Sequence, residues 1–182
     1  MTRITLLNKE QAALKMREMF QNMEENGRQV LNLFKVMAHC PQVGYHFLRL
    51  GNSILFKGAV PPNLRELAIL RVGHLNQAKY EWTHHLSIAL RYGVRKEQID
   101  ALPDWENSEK FNEQERAVLQ YTDEVTQNIR VKDDTFAGVR GLLSEEGIVE
   151  LTTTIGYYGM VCRILETLQV ELETEAKKIP EL

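Results

Sequence analysis

Apolar residues recur at three- and four-residue steps along most of the chain, which is the spacing of α-helices that bury one face. The pattern between Leu6 and Met37 predicts one or two helices. A further helix is predicted over Pro41–Leu50, with Gly51 as its C-terminal stop. No segment shows the alternation of apolar and polar residues that is typical of a half-buried strand. We therefore expect an all-α fold.

The segment from Asn63 to Leu75 is apolar on nearly every side. Asn63 and Glu66 have the spacing of a capping box, which predicts that a helix begins there. A helix without a polar face is usually buried, and a subunit interface is a ready place to bury one in a chain of this length. We therefore expect a homo-oligomer.

The same periodicity predicts five more helices in the second half of the chain. They are expected at Lys79–Tyr92, Lys96–Leu102, 112–129, Asp134–Leu142 and 144–172. The polar, turn-rich stretch Pro103–Phe111 is the best candidate for an internal linker. We nevertheless expect a single domain over residues 1–182, because one domain is the default for a chain of this length.

Composition narrows the classes of partner. The chain has 182 residues, of which 43% are hydrophobic and 26% charged, and its net charge is -3. This small negative charge provides no field that would attract nucleic acid or anionic lipid. Charged residues interrupt the first 25 positions and every later apolar run, so we expect neither a signal peptide nor a membrane-spanning helix. The sequence predicts a soluble, cytoplasmic protein.

The chain contains two cysteines, Cys40 and Cys162. Their positions match neither the spacing of metal ligands nor that of a redox pair. Because we expect a cytoplasmic protein, we interpret both as reduced thiols rather than as a disulfide.

One pair of polar residues on the predicted helix Lys79–Tyr92 indicates chemistry. Glu81 and His85 lie one turn apart on one face, whereas His84 points about 100° away and receives no role. A carboxylate increases the proton affinity of a neighbouring imidazole and burial decreases it, so the sequence leaves the sign of the shift open. The alternative interpretation is an ordinary surface ion pair.

Several segments together resemble the core motif of the carboxymuconolactone decarboxylase and AhpD-like family. They are Arg65-Glu66-Leu67-Ala68-Ile69-Leu70, Asn76, Tyr80-Glu81-Trp82 and His84-His85. In the peroxidase branch of this family, a glutamate is followed by a cysteine pair and a histidine. The corresponding positions here are Glu66, Ala78, Glu81 and His85, so both cysteines of the pair are absent.

The resemblance covers most of the chain and carries expectations about its architecture. It runs from Pro41 to Leu172, including the Gly-Tyr-Tyr-Gly sequence at 156–159. It implies an AhpD-like fold of about seven helices, with 41–172 as the family core and 1–40 as an N-terminal helical extension. It also implies a trimer or a hexamer.

The residues Glu66, Glu81 and His85 resemble the decarboxylase branch, whose reaction is the loss of carbon dioxide from a carboxylated enol-lactone. The resemblance implies that His85 acts as the general acid or base and that both glutamates orient it and stabilise its charge. The partner is then a small organic acid or lactone. No metal and no organic cofactor is implied, because these residues are too few for a dedicated zinc site.

Each of these assignments has an alternative. Glu66 can serve as a helix cap, and the aromatic residues Tyr80, Trp82, Tyr157 and Tyr158 are more typical of a core than of a pocket. Arg71 is a candidate for binding a substrate carboxylate, although a salt bridge between helices is the more common arrangement.

Two other functions remain open at this point. One is a non-catalytic oligomeric scaffold or small-ligand binder with a decayed site. The other is residual alkylhydroperoxidase activity through Cys40 or Cys162. The peroxidase hypothesis is the weaker one, because neither cysteine lies within the motif.

Overall fold

The structure, a computed structural model, describes residues 1–174. In that range all regular elements are helical, which confirms the predicted all-α class. They are α1 (Leu14–Glu25), α2 (Asn32–Met37), α3 (Pro41–Lys57), α4 (Pro62–Leu75), α5 (Lys79–Arg91), α6 (Lys96–Ala101), a 3-10 helix (Leu102–Asn107), α7 (Glu113–Asn128), α8 (Asp133–Arg140) and α9 (Glu145–Leu168). These nine α-helices are more than the roughly seven that the family resemblance implied, and α2 and α6 have only six residues each.

The chain divides into two compact units. Within the described residues, the first contains Met1–Phe56 and 164–174, and the second contains Lys57–Arg163. The stretch proposed as an internal linker, Pro103–Phe111, lies inside the second unit, so no boundary falls there. A single domain over residues 1–182 stays a prediction. None of the helices within residues 1–174 is long and apolar enough to cross a membrane.

In the first unit, α3 continues for seven residues beyond the helix end that we predicted at Leu50. The prediction of a stop at Gly51 is wrong because the buried stripe of the helix continues through this glycine to Ile54. A glycine that ends a helix usually adopts a positive φ. In the described chain only Gly27 and Gly93 do so among the glycines.

Helix α9 ends at Leu168, four residues before the predicted end at Leu172. Gln169 has a φ of 50°, which interrupts the helix. The chain beyond it is fixed within the first unit by hydrogen bonds to Asn32, whose backbone N–H donates to the carboxylate of buried Glu173 at 2.6 Å. The apolar pattern is local, so it could not show that the helix ends early or that the residues after it form hydrogen bonds with a distant part of the chain.

In the second unit, α4 is the central helix, and it packs against α5 and α7. Every residue from Leu64 to Gly73 is buried within the chain. The buried character of α4 therefore requires no partner subunit, and it no longer supports an oligomer. A homo-oligomer, whether trimer or hexamer, stays a prediction.

The start of α4 also differs from the prediction. The helix begins at Pro62, with Pro61 at the cap position and no side-chain cap. The capping role proposed for Glu66 is wrong, because its carboxylate binds other side chains. A capping box does begin α7: the side chain of Asn112 accepts from Glu115 N, and the Glu115 carboxylate accepts from Asn112 N, both at 2.9 Å.

Arg71 on α4 forms a bidentate salt bridge with Asp123 on α7. Its Nε and Nη2 donate to the two carboxylate oxygens at 2.6 and 2.8 Å. Its Nη1 donates to the backbone oxygens of Leu102 and Pro103, and Trp105 Nε1 donates to Asp123 Oδ2. The structure thus gives Arg71 the alternative role considered above, a salt bridge between helices.

Replacement of Asp123 by alanine should be strongly destabilising. The variant leaves the buried Arg71 guanidinium and the Trp105 N–H without their acceptor, and breaking one side of a buried ion pair costs about 3–5 kcal/mol. Asp123→Ala should therefore lower the free energy of unfolding, measured by urea denaturation, by that amount. Asp100→Ala, which removes an exposed pair with Lys96, is the control and should cost less than about 1 kcal/mol. Equal losses in both variants would contradict this account.

Candidate active site

Two neighbouring helices bring the predicted polar residues together. Glu66 lies on α4, and Glu81 and His85 lie one turn apart on α5. All three side chains are buried, with residue exposures of 0%, 4% and 5%. The interpretation of Glu81 and His85 as a surface ion pair is therefore wrong.

His85 bridges the two carboxylates. Its Nδ1 lies 2.7 Å from Glu66 Oε2, and its Nε2 lies 3.0 Å from Glu81 Oε1. Both ring nitrogens thus have an acceptor, which suits an imidazole that carries a proton on each of them. The structure groups the three residues as the sequence suggested, while their catalytic roles stay a prediction.

The two carboxylates also determine the charge of His85. Burial lowers the pKa of the imidazole, but the hydrogen bonds that it donates to Glu66 and Glu81, together with their negative charges, raise the pKa by more. The net effect raises the pKa of His85 from its ordinary 6.5 to about 9. His85 is therefore an imidazolium at neutral pH, which settles the sign that the sequence left open.

Arg65 adds a fourth charge that the sequence analysis did not assign to the site. Its Nε donates to Glu66 Oε1 at 3.1 Å, and its side chain is 3% exposed. With His85 protonated, the cluster of Arg65, Glu66, Glu81 and His85 has two positive and two negative charges. Arg65 directly precedes Glu66, but neighbouring residues on a helix point in different directions, so adjacency alone gave no reason to group them.

One tyrosine of α9 contacts the imidazole, and a second tyrosine packs behind it. The Tyr158 ring meets the His85 ring edge to face, with centroids 4.9 Å apart, and Tyr157 packs on Tyr158 in the same manner at 5.2 Å. Burial, reinforced by the negative charge of Glu81, raises the pKa of each tyrosine above its ordinary value. Both hydroxyls therefore stay protonated around neutral pH. The sequence analysis favoured a core role for these residues, and Tyr158 combines core burial with contact to the site.

The other residues considered from the sequence lie in different surroundings. The ring of His84 packs on buried Tyr80, with centroids 4.5 Å apart. Cys40 is exposed in the first unit, and Cys162 is a buried, reduced thiol in the second. Over residues 1–174, no cluster of three or more histidine, cysteine, aspartate or glutamate side chains is arranged to hold a metal ion.

Comparison with known families matches residues 41–124 to the carboxymuconolactone decarboxylase family. The match spans a little less than half of the 182 residues. The matched range contains Arg65, Glu66, Glu81 and His85, so it includes the whole charged cluster. The chain lacks the paired cysteines of the peroxidase branch, as its sequence indicated. A comparison with curated protein sequences gives no match.

Solved structures share the fold of this family segment and of most of the chain. A peroxidase-related protein with an alkylhydroperoxidase AhpD core, from Ralstonia eutropha JMP134, has a TM-score of 0.82 at 18% identity and covers 96% of this chain and 94% of its own. A protein of unknown function from Agrobacterium tumefaciens, described as an AhpD-type antioxidant defence protein, has a TM-score of 0.67 at 25% identity. The match covers 74% of this chain and 92% of that one.

A third similar structure is a cysteine-to-alanine variant of the debrominase Bmp8 in complex with 2,3,4-tribromopyrrole. Its TM-score is 0.78 at 22% identity, and the match covers 97% of this chain and 96% of that one. At such identities the likeness establishes the AhpD-like fold alone. Proteins with different activities therefore share this architecture, and the activity of the present chain has to be argued from its own residues.

The stability of the protein should depend on pH through His85. Because the folded-state pKa is raised, its contribution is fully present below about pH 6.5 and is lost as the pH rises through about 9. The free energy of unfolding of the wild type minus that of His85→Gln should therefore fall by a few kcal/mol across this interval. Urea denaturation at a series of pH values measures this difference. His46 is exposed, so His46→Gln is the control, and the pH dependence of its free energy of unfolding should match that of the wild type. A difference between wild type and His85→Gln that does not change with pH would refute the assignment.

Proposed function

We propose that the chain is a thiol-independent acid–base enzyme of the carboxymuconolactone decarboxylase family that removes carbon dioxide from a small carboxylated lactone or related organic acid. The observation that carries this proposal is the buried imidazolium of His85 between Glu66 and Glu81. A buried proton donor beside a carboxylate suits a reaction in which a carbanion-like carbon must be protonated. The family match supports the choice of reaction class.

The geometry favours Glu81 as the residue that exchanges the proton with substrate. Both nitrogens of His85 already donate to carboxylates, so direct donation to a carbon would break one of these bonds. Transfer of the Nε2 proton to Glu81 produces a neutral carboxylic acid, which is a competent donor. Glu66 retains its bond to Nδ1 and holds the ring in place. This changes the role expected for His85, from direct donor to proton reservoir.

The electrons and protons of this reaction balance without a cofactor. The bond between the ring carbon and the carboxylate breaks, carbon dioxide leaves, and the electron pair delocalises into the conjugated carbonyl of the lactone. Glu81 then delivers its proton to the carbon that carries this charge. His85 then regains a proton from a solvent acid, hydronium or a protonated buffer, so each turnover consumes one proton from solution and the imidazolium is restored.

The surroundings of the cluster suit the departure of a carboxylate. Loss of carbon dioxide disperses a localised negative charge, and a site from which water is excluded favours that change over the charged reactant. Glu66, Glu81 and His85 are nearly inaccessible to solvent, and the ring of Tyr158 packs against the imidazole.

Peroxide reduction fits the site less well. The reaction requires a thiolate that attacks the peroxide oxygen and a second thiol that resolves the product. Cys40 and Cys162 belong to different units, and the motif positions of the thiol pair hold Ala78 and Glu81. The peroxidase and debrominase descriptions of similar structures therefore apply to those proteins.

A second candidate function is a non-catalytic scaffold or small-ligand binder. One observation favours it: the cluster has balanced charges, and both nitrogens of His85 already have acceptors within the protein. A satisfied polar network of this kind can stabilise one specific packing of the helices without any chemistry.

Turnover measurements distinguish these two functions. Release of carbon dioxide is measured for the purified protein with a panel of carboxylated lactones and related unsaturated acids. Glu81→Gln removes the proton carrier and His85→Gln removes its reservoir, so each should lower kcat/KM by at least about 100-fold. The control His46→Gln changes an exposed histidine of the first unit and should leave kcat/KM unchanged.

Each other outcome has a defined meaning. Undiminished turnover by Glu81→Gln and His85→Gln would show that the proposed proton transfer is wrong. If the wild type releases carbon dioxide from no member of the panel, the scaffold or ligand-binding function is favoured.

A further inference from the structure

Arg65 has a buried donor that the protein does not satisfy. Its Nη2 lies 3.1 Å from Glu66 Oε1 but forms no hydrogen bond, whereas Nε donates to that oxygen. Nη2 carries two N–H groups, and at most one of them can point at Glu66. An unpaired buried donor of a charged group costs free energy, so its presence requires an explanation.

The guanidinium of Arg65 also lies over the ring of Tyr92. The guanidinium carbon lies 5.3 Å from the ring centroid, which is a cation–π contact. Tyr92 immediately follows the end of α5, the helix that carries Glu81 and His85, and 36% of it is exposed. Displacement of this partly exposed ring would uncover one face of the guanidinium.

We propose that Arg65 binds a carboxylate that stays on the substrate, with Tyr92 as the movable cover of this subsite. The inference rests on the proposed function for the class of substrate, a small organic acid. A carboxylate matches the unpaired N–H groups of the planar guanidinium in both charge and hydrogen bonding. The balanced charges of the cluster leave an incoming anion without net repulsion.

The bound carboxylate is the one that remains on the substrate rather than the one that is lost. An arginine contact stabilises a carboxylate in the ground state, and it would therefore slow the departure of that group as carbon dioxide. An anchored second carboxylate instead contributes to binding before and during the reaction. Arg65 is thus a substrate-binding residue, whereas Arg71 is occupied by Asp123.

Binding of a lactone acid that cannot react tests this subsite without turnover. The probe is 5-oxotetrahydrofuran-3-carboxylate, a saturated lactone acid, and its methyl ester is the neutral comparison. Dissociation constants come from the rise in melting temperature with probe concentration. Arg65→Lys keeps the positive charge beside Glu66 but loses the guanidinium fork, so it should bind the acid at least about tenfold more weakly.

The chain offers a matched control in Arg49, which lies over the ring of Tyr45 at 5.6 Å but is exposed. Arg49→Lys should bind the acid as the wild type does. Melting temperatures without probe verify that each variant is folded, and Arg65→Gln serves as a second variant. The ester should bind wild type and Arg65→Lys equally and weakly.

The outcomes separate this inference from the proposed function. Arginine-dependent binding of the acid supports the subsite even if the protein releases no carbon dioxide from any acid, because the probe is unreactive. Equal binding by wild type and Arg65→Lys, equal binding of acid and ester, or no binding of the acid at all would overturn it. If turnover is found, Arg65→Lys should raise KM for the acid at least about tenfold while kcat changes much less.

Discussion

The hydrogen bonds from buried His85 to Glu66 and Glu81 are the constraint on which the candidate site depends. An imidazolium can remain inside a protein only where nearby negative charge compensates the loss of hydration. Two carboxylates overcompensate one imidazolium, and Arg65 restores the balance. The contacts run from Arg65 through Glu66 and His85 to Glu81, and they link α4 to α5.

Helix α4 contributes two buried arginines with different surroundings. Arg71 is saturated by Asp123 and by backbone oxygens, so its function is explained by the packing of α4 on α7. Arg65 has a single carboxylate partner and a nitrogen without a hydrogen bond. The contrast between a satisfied and an unsatisfied guanidinium on one helix is the physical basis for placing ligand binding at Arg65.

Parts of this arrangement followed from the sequence and parts did not. The helical period placed Glu81 and His85 on one face, whereas the approach of Glu66 came from the family resemblance, because contacts between helices leave no local pattern. For the same reason the contacts of Arg65 with Glu66 and Tyr92 were missed. Gly51 was misread as a stop because the continued burial of α3 outweighs a local glycine signal. The charge of His85 depends on the balance between burial and two carboxylates, which only their distances determine.

The protonation state of His85 at neutral pH tests the central claim most directly. Nitrogen-15 NMR of the imidazole ring distinguishes a doubly protonated ring from either neutral tautomer. The account predicts that both ring nitrogens of His85 carry protons at neutral pH and that they titrate together with a pKa of about 9. A ring that is neutral at that pH, with one unprotonated nitrogen, would contradict the bridge between Glu66 and Glu81 and the proton chemistry derived from it.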